Sequence, residues 1–248
     1  MGSGDLVIEL ENIFLSYPDG RNIFSDLCFK LPKGARTGLI GPNGSGKTSL
    51  FHLIMGLVPR TSGRIGLMGQ EMETEKDFRQ ARKKINLVFQ NADDQLFSPT
   101  VLEDVAFGPL NLGASVGEAK DIAQKTLQDL HLSGFEDRIA YRLSGGEKKL
   151  VALATVLAMD PEVLLMDEPT TGLDDVTRER IMNILNSLDK TLLIASHEYD
   201  FLARTTKNIY KMEQGQIFFA GDAARLHPHY HIHAAGDVPH QHDGSSGP

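Results

Sequence analysis

The hydrophobic and polar positions along the chain alternate between a strand period and a helix period, which is typical of an α/β domain. Two long stretches, 6–17 and 22–31, predict strands joined by a turn at Pro18, Asp19 and Gly20, residue types that favour tight turns. Further strands are predicted at 37–40, 85–89, 163–166 and 191–195, followed by a hairpin at 208–220.

Between the strands, apolar residues recur at three- and four-residue spacing, which predicts helices with one buried face. Helices are expected at 47–56, 116–132, 145–159 and 176–188. In the second of them, the buried face is expected to carry Ala119, Ile122, Ala123, Thr126, Leu127 and Leu130. Because helical character from 91 to about 159 interrupts the alternation of strands and helices, we predict a parallel-sheet core with a helical insert.

Composition excludes several classes of protein. The net charge of −8 argues against a general nucleic-acid-binding surface, which needs a basic excess. Cys28 is the only cysteine, so no intrachain disulfide is possible and a reducing compartment is expected. The first residues carry no secretory signal, and no apolar run approaches the roughly 18 residues that span a bilayer. A role at a membrane would therefore require a partner that supplies the membrane part.

A glycine-rich loop lies between a predicted strand and a predicted helix and fits the pattern G-x-x-x-x-G-K-[ST]. Its residues are Gly41, Pro42, Asn43, Gly44, Ser45, Gly46, Lys47 and Thr48. Glycines let backbone amides wrap a phosphate, and the start of the following helix adds positive potential. Lys47 is expected to reach the β- and γ-phosphates, and Thr48 to ligate Mg²⁺. The loop therefore predicts a nucleoside triphosphate site.

Two acidic residues, Asp167 and Glu168, follow the apolar strand predicted at 163–166. Ligands of α/β sheets bind at the carboxyl ends of the strands, so Asp167 is expected to serve Mg²⁺ through water. Glu168 is then placed to polarise the water that attacks the γ-phosphate. An alternative is that the pair only caps the next turn with Pro169 and Thr170; the glycine-rich loop favours the catalytic interpretation.

Ser144 and Glu147 have the spacing of a capping box, in which each side chain binds the other residue's backbone N–H. Gly145 and Gly146 leave the first turn of this helix uncovered by side chains, which suits an anion. Both interpretations can hold at once. His197 follows the strand predicted at 191–195, and a lone histidine there is more often a structural hydrogen-bonding group than a catalyst.

The order of these motifs across residues 6–221 resembles the ATP-binding subunit of ATP-binding-cassette (ABC) transporters, with 143–147 as the family's signature sequence. The resemblance implies a P-loop NTPase (RecA-like) core with an N-terminal antiparallel β subdomain and an inserted α-helical signature subdomain. It places the ATP-binding domain at 5–225, the helical subdomain at about 91–159, and a histidine-rich tail at 226–248. It also implies ATP and Mg²⁺ as cofactors and ATP hydrolysis coupled to transmembrane transport.

The resemblance assigns a role to each matching residue. Tyr17 would stack on adenine, Gln90 would contact Mg²⁺ and sense the membrane partner, and His197 would contact the γ-phosphate. Asp167 and Glu168 form the Walker B pair, with Glu168 and His197 as the catalytic residues. The remaining nucleotide-binding set is the loop named above with Ser49, the signature residues Ser144, Gly145, Gly146 and Glu147, and Asp174 of the D-loop.

ATP sites of the family are shared between two subunits. Ser144 and Gly146 would therefore serve the nucleotide held by the opposite protomer, in a dimer that closes on ATP and opens after hydrolysis. A homodimer is favoured by the single set of intact motifs, and a heterodimer with a sister ATPase is left open.

A narrower match, at 91–101, 103–109 and 16–20, is similar to energy-coupling-factor (ECF) importers, in particular their cobalt and nickel ATPase subunits. In such importers this segment forms the groove that receives coupling helices of the transmembrane partner. Coupling and substrate-capture proteins are thus expected as partners, with the chain peripheral on the cytoplasmic face of the membrane. Two residues depart from the family pattern: Asp175 replaces a usual proline, and Leu150 a usual basic residue.

Histidines are concentrated at the end of the chain, where His227, His229, His231 and His233 alternate. In an extended chain alternate side chains share a face, so adjacent imidazoles could chelate Ni²⁺, Co²⁺, Zn²⁺ or Cu²⁺. A solvated tail with incidental metal affinity is the alternative. Storage or buffering near the transporter is as plausible as sensing.

Together these features predict the ATPase subunit of an importer for nickel or cobalt. Three alternative functions remain: the ATPase subunit of a vitamin importer, a soluble ABC ATPase that acts in translation or DNA repair, and a metal-storage protein in which ATP is regulatory. Soluble ABC ATPases usually carry two cassettes or a long coiled-coil insertion, and this chain has neither.

Overall fold

A computed structural model describes residues 5–225, which form two β-sheets and seven α-helices. The predicted metal-binding histidines His227, His229, His231 and His233 lie outside the described residues. The strands are β1 (Leu6–Ser16), β2 (Asn22–Pro32), β3 (Arg36–Ile40), β4 (Ser62–Leu67), β5 (Gln70–Glu71), β6 (Ile85–Val88), β7 (Val163–Asp167), β8 (Thr191–Ala195), β9 (Asn208–Glu213) and β10 (Gln216–Asp222). The helices are α1 (Lys47–Ile54), α2 (Glu75–Ala81), α3 (Val101–Asn111), α4 (Val116–Asp129), α5 (Gly145–Leu157), α6 (Asp175–Ser187) and α7 (Tyr199–Thr205).

The first sheet is antiparallel, with strand order β2-β1-β4-β5. Its first hairpin turns where the sequence predicts, with Gly20 in the left-handed region (φ 86°) and its N–H donating to the carbonyl of Tyr17 at 2.9 Å. A glycine adopts this conformation without steric cost. The turn fixes Tyr17 at the end of β1, close to the core sheet.

The second sheet has the order β10-β9-β3-β8-β7-β6, with all neighbours parallel except the edge pair β9 and β10. Its central strands are buried on both faces, which explains their continuous apolar sequences. Alternate residues of β7 face opposite ways: Leu164 and Met166 pack with the helices α3–α6, whereas Val163 and Leu165 pack with α1 and the antiparallel sheet. The molecule therefore has two hydrophobic cores that share one sheet.

The helices α3, α4 and α5 lie between β6 and β7 in the chain and pack against one another. Each begins with a capping box: Thr100 with Glu103, Ser115 with Glu118, and Ser144 with Glu147. The third was predicted from the sequence and is confirmed. The α/β fold with a P-loop core, an antiparallel sheet and a helical signature region is likewise confirmed.

Some predicted details were wrong. Ile122 was expected on the buried face of α4 but is 37% exposed, because it lies at the edge of the stripe formed by Ala119, Ala123 and Leu127. Four elements were not predicted: β4, β5, α2 and α7. The sequence of β4 contains two glycines, and the other three elements are only two to seven residues long, too short to show a clear period.

Candidate functional site

The predicted phosphate and acid motifs meet at one edge of the core sheet. Strands β3, β8 and β7 are parallel neighbours, so the segments that follow them emerge side by side. They border a cleft of about 440 Å³. Its lining includes Tyr17, Arg21, Asn43, Gly44, Gly46, Lys47, Thr48, Ser49, Gln90, Asp167, Glu168, Thr171 and His197.

The loop between β3 and α1 has two positions, Gly41 and Gly46, at which a side chain would collide with neighbouring atoms. Gly46 precedes α1 with φ 107°, and a Cβ there would lie 2.8 Å from Cε1 of Phe24. A Cβ on Gly41 would lie 2.4 Å from the carbonyl oxygen of Met212. Gly46 offers no side-chain cap, so the first N–H groups of α1 are available to an anion.

The Lys47 side chain folds back over this loop. Its Nζ donates to the carbonyl oxygens of Gly41 at 2.8 Å and Pro42 at 3.2 Å, and the residue is 8% exposed. The ammonium group is thus held at the mouth of the loop. The ammonium group and the N-terminus of α1 both place positive potential where a phosphate would bind.

A hydroxyl and a carboxylate form a pair suited to a magnesium ion. The hydroxyl of Thr48 donates to Oδ2 of Asp167 at 2.6 Å. Oδ1 of the same carboxylate is buried and has no partner among the described residues. Burial raises the pKa of Asp167, and the hydrogen bond from Thr48 opposes that change. Mg²⁺ prefers oxygen ligands and keeps waters and substrate phosphates as its others, so these residues fit the cation.

The carboxylate of Glu168 is held by two side chains. Nδ1 of His197 lies 2.8 Å from its Oε2, and the hydroxyl of Thr171 donates to the same oxygen at 3.2 Å. Glu168 is 7% exposed and adopts φ 46°, a left-handed conformation that is uncommon for a non-glycine residue. Strained backbone of this kind concentrates at functional sites. A positioned carboxylate facing the phosphate loop has the geometry of a general base.

An aromatic face closes the other end of the cleft. The hydroxyl groups of Tyr17 and Ser49 are 3.1 Å apart, and the guanidinium carbon of Arg21 lies 5.5 Å from the centre of the Tyr17 ring. The aromatic face and the cation flank the loop where a purine base would extend from bound phosphates. Arg21 was not predicted, although it follows the hairpin turn directly.

The predicted signature residues do not line this cleft; Gly145 borders a neighbouring cavity of about 390 Å³ that shares Gln90 and Thr171 with it. Ser144 and Glu147 form the capping box of α5, and the backbone N–H of Ser144 lowers the pKa of Glu147. A Cβ on Gly145 would meet no atom within 4 Å, and one on Gly146 would lie 3.1 Å from Oγ1 of Thr177. The start of α5 is therefore sterically open at Gly145 and more crowded at Gly146.

Asp174, the predicted D-loop residue, caps α6 beside this surface. Its two carboxylate oxygens accept from the backbone N–H and the hydroxyl of Thr177, each at 2.9 Å. The backbone hydrogen bond lowers the pKa of Asp174. Since Thr177 also lies against Gly146, the predicted D-loop and signature residues share one surface, and their role toward a second protomer remains a prediction.

Two further residues near the cleft were missed from the sequence. Thr171 lines the cleft and binds Glu168, but threonine in this turn carries no distinctive signal. Lys149 is 7% exposed, and its Nζ donates to the carbonyl oxygens of Gln90 and Glu168. The burial of Lys149 could have been predicted from the sequence, because Lys149 lies on the same face of the helix as the apolar residues Leu153 and Val156, which are buried.

A second cleft, of about 480 Å³, lies at the opposite end of the antiparallel sheet. Arg64 there contacts Glu9 at 3.0 Å and Glu11 at 2.8 Å, and Lys33 lies 3.6 Å from Glu162. Because these charged residues pair with one another, the second cleft has fewer free charged groups to bind a ligand than the first.

Within residues 5–225, no cluster of three or more His, Cys, Asp or Glu residues is arranged to hold a metal ion.

Comparison with known proteins agrees with this geometry. A family profile described as ABC transporter matches residues 24–171. The energy-coupling factor transporter ATP-binding protein EcfA of Methanothermobacter thermautotrophicus is 41% identical over 219 residues, covering 87% of this chain and 70% of that protein.

Solved structures show the same likeness. The structure of cbiO1 from Clostridium perfringens, part of the ABC transporter complex cbiONQ, has a TM-score of 0.79 and 32% identity, and the match covers 90% of each chain. A dimeric ATP-binding cassette in a post-hydrolysis state, bound to ADP and Pi, has a TM-score of 0.77 and 27% identity, covering 85% of this chain and 96% of the other.

Proposed function

Because the chain belongs to the ABC transporter family of ATP-binding subunits, we propose that it is the ATPase subunit of an ECF-type importer for nickel or cobalt. The family hydrolyses ATP to drive transport. The observation that carries the proposal for this chain is the position of Glu168. Its carboxylate lies in the cleft of the phosphate loop, 2.8 Å from His197.

In this proposal ATP binds along the cleft from Tyr17 to His197. The ring of Tyr17 stacks on adenine, and the amides at the start of α1 bind the phosphates. Lys47 exchanges its bonds to the loop carbonyls for bonds to the β- and γ-phosphates. That exchange is favourable because a charge-assisted bond to a phosphate is stronger than one to a neutral carbonyl.

Magnesium would be held by Thr48, Asp167 and Gln90. When bound, the ion neutralises charge on the phosphate oxygens. The unpartnered Oδ1 of Asp167 supports this assignment, since a buried carboxylate oxygen without a partner is costly unless a cation or a water satisfies it.

Hydrolysis is assigned to Glu168. The carboxylate accepts a proton from a water whose oxygen attacks the γ-phosphorus, while the bond to the β–γ bridging oxygen breaks and ADP leaves. Thr171 and His197 both bind Oε2, so the carboxylate is held in one orientation toward the water. His197, which is more exposed, is placed to contact the γ-phosphate.

The open start of α5 is assigned to a second protomer. Ser144, Gly145, Gly146 and Glu147, with Asp174 beside them, would bind the nucleotide held in the partner's cleft. Two observations support this: the absence of any atom near a Cβ on Gly145 and the likeness to a dimeric cassette bound to ADP and Pi. A homodimer with two shared sites is the simplest assembly.

Docking to the membrane is assigned to the segment from 91 to 109. Phe97 is 66% and Phe107 46% exposed, and the two rings meet edge to face at 4.8 Å. They border a mostly apolar cavity of about 190 Å³, whose lining includes Leu87, Phe89 and Met159 and also the polar residues Asn86, Gln95, Asp104 and Thr155. None of the helices in residues 5–225 has the length and apolar character of a membrane span. The chain would therefore sit on the cytoplasmic face through transmembrane coupling and substrate-capture proteins, without nucleic acid.

A transition metal is proposed as the cargo on two observations. The segment from 91 to 109 is similar to the nickel and cobalt branch, and the tail at 226–248 carries His227, His229, His231 and His233, whose imidazoles suit such ions. A vitamin importer is the second candidate, because relatives are named for energy-coupling factor transport in general. The substrate-capture protein that accompanies the chain distinguishes the two.

The test is a pull-down of the full chain from native membranes, with partners identified by mass spectrometry and metal by elemental analysis. Membrane partners with stoichiometric nickel or cobalt, retained after removal of residues 226–248, would support metal import. Partners without such a metal would favour the vitamin importer, and the absence of any membrane partner would contradict the transport role.

A further inference from the structure

One helix, α5, contacts two different parts of the proposed machinery. Its first turn, at Ser144 and Gly145, is the surface assigned to the partner's nucleotide. Lys149 follows Ser144 by five residues, about 7.5 Å along the axis, and its side chain reaches the backbone behind the protomer's own nucleotide cleft. Its ammonium group donates to the backbone carbonyl of Gln90 and, at the longer distance of 3.4 Å, to that of Glu168.

The position of Lys149 is costly unless its hydrogen bonds are made. The side chain is 7% exposed, and burial lowers the pKa of its ammonium group, while the charges of Asp167 and Glu168 oppose that change. Buried ammonium groups are rarely retained without partners. The two carbonyls and the two nearby carboxylates supply them.

Both carbonyls belong to segments with a proposed role in hydrolysis. Gln90 closely follows β6, and Glu168 directly follows β7 and supplies the general base. Glu168 also holds φ 46°, a conformation that persists only when its surroundings stabilise it. Lys149 contributes to this stabilisation, because it binds the backbone carbonyl of Glu168 itself.

From this geometry we infer that Lys149 is a positioning residue that couples the two ATP sites of the dimer. A nucleotide in the partner's site pulls on the start of α5, and Lys149 transmits the movement to the backbone of Gln90 and Glu168. Closure of the partner's site thereby adjusts the backbone that carries the Glu168 carboxylate, whose orientation Thr171 and His197 hold within the protomer. This inference rests on the proposed function, since it requires a dimer with shared sites.

The adjacent residue, Lys148, provides a matched control. Its Nζ lies 2.6 Å from Oδ1 of Asp93, whose side chain is 62% exposed. Such an ion pair near the surface contributes little, and it touches neither Gln90 nor Glu168. Removing Lys148 therefore takes the same charge from the same helix without breaking the proposed coupling.

The experiment measures ATP hydrolysis by the full-length chain against ATP concentration for the wild type, Lys149→Met, Lys149→Arg and Lys148→Met. We expect the wild type to hydrolyse ATP cooperatively, with a Hill coefficient above 1 and at most about 2, the limit for two sites. Lys149→Met should lower kcat about tenfold or more and bring the Hill coefficient to about 1. The affinity of the monomer for a fluorescent ATP analogue should stay within about twofold, since Lys149 does not line the nucleotide cleft.

The Lys149→Arg variant distinguishes a positioning role of Lys149 from a role in packing alone. Lys149→Arg keeps donors for both carbonyls and should restore cooperative hydrolysis, and Lys148→Met should match the wild type. If Lys149→Met does not fold, Lys149→Gln replaces it; this shorter side chain cannot reach both carbonyls and should also lower the Hill coefficient.

Unchanged kcat and Hill coefficient in the folded Met or Gln variant, beside an active wild type, would overturn the coupling role alone. A wild-type chain that neither binds nor hydrolyses ATP would overturn the proposed function and the coupling with it.

Discussion

Nδ1 of His197 lies 2.8 Å from Oε2 of Glu168, although the two residues are 29 positions apart in the chain. The pairing of β7 with β8 brings them together, because Asp167 lies opposite Ala195 in the parallel register. Each residue then follows the end of its strand by one or two positions. The contact joins the candidate base to a side chain that we propose contacts the γ-phosphate.

Replacing His197 by alanine removes this contact. We expect kcat to fall by about 10- to 100-fold, because Glu168 loses one of the groups that orient it. The dissociation constant for ATP should change little, since the phosphate loop is untouched. His131→Asn is the matched control, because His131 lies outside the cleft in a left-handed conformation (φ 56°) that asparagine tolerates. If the His197→Ala and His131→Asn variants both hydrolyse ATP at the wild-type rate, His197 does not orient the base.

Thr171→Val tests the second group on Glu168. The substitution keeps the shape of the side chain but removes the hydroxyl that donates to Oε2 at 3.2 Å. A fall in kcat of about three- to tenfold is expected for a lost hydrogen bond of about 1 kcal/mol. Thr170→Val is the control, since the buried Thr170 hydroxyl has no partner among the described residues. If both valine variants hydrolyse ATP at the wild-type rate, Thr171 does not orient the base.

Gly145→Ala tests the surface assigned to the partner. The added methyl group meets no atom within 4 Å in the protomer, so fold and monomer affinity for ATP should be retained. In a shared site the methyl group crowds the partner's nucleotide, and turnover should fall about tenfold or more.

Gly117→Ala is the control for that substitution. Gly117 also lies in the first turn of a helix, and a methyl group added there would meet no atom within 4 Å. This variant should keep full turnover and gain up to about 1 kcal/mol of stability from helix propensity. Full turnover in Gly145→Ala as well would contradict the shared site.

Phe107→Asp tests the proposed membrane-docking segment. A charge beside the exposed ring of Phe97 and the apolar cavity should weaken capture of membrane partners about tenfold or more. ATP hydrolysis by the purified chain should be retained, because Phe107 lies outside the nucleotide cleft. Phe218→Asp, on β10 and 51% exposed, is the control and should leave capture unchanged. Loss of capture in both variants would point to a general effect of surface charge.

The sequence predicted the core sheet and the nucleotide cleft well, because their signals are local. The strands of the parallel sheet are mostly apolar, and the glycine-rich loop, the Asp167–Glu168 pair and His197 each stand at or just after the end of one of them. A parallel sheet then assembles the motifs without further information, since its carboxyl edge collects every segment that follows a strand.

The unpredicted features depend on tertiary contacts. Strand β4 contains Gly63 and Gly66, and its hydrogen-bonding partners are the neighbouring strands β1 and β5. Lys149 resembles Lys148 in the sequence, yet one side chain is buried against two carbonyls and the other pairs with Asp93. Leu150, which departs from the family's basic residue, is 3% exposed and packs in the helical core.

We propose that Glu168 activates water within a site completed by a second protomer. Glu168→Gln keeps the shape and the contact to His197 but removes the charge that accepts a proton. The mass of the Glu168→Gln chain in solution with MgATP, determined by light scattering beside a turnover assay, tests this directly. Turnover should fall at least about 100-fold, and the 27.2 kDa chain should form a dimer that persists while ATP is bound. Wild-type turnover in this variant would contradict the role of Glu168, and a monomer at saturating MgATP would contradict the shared site.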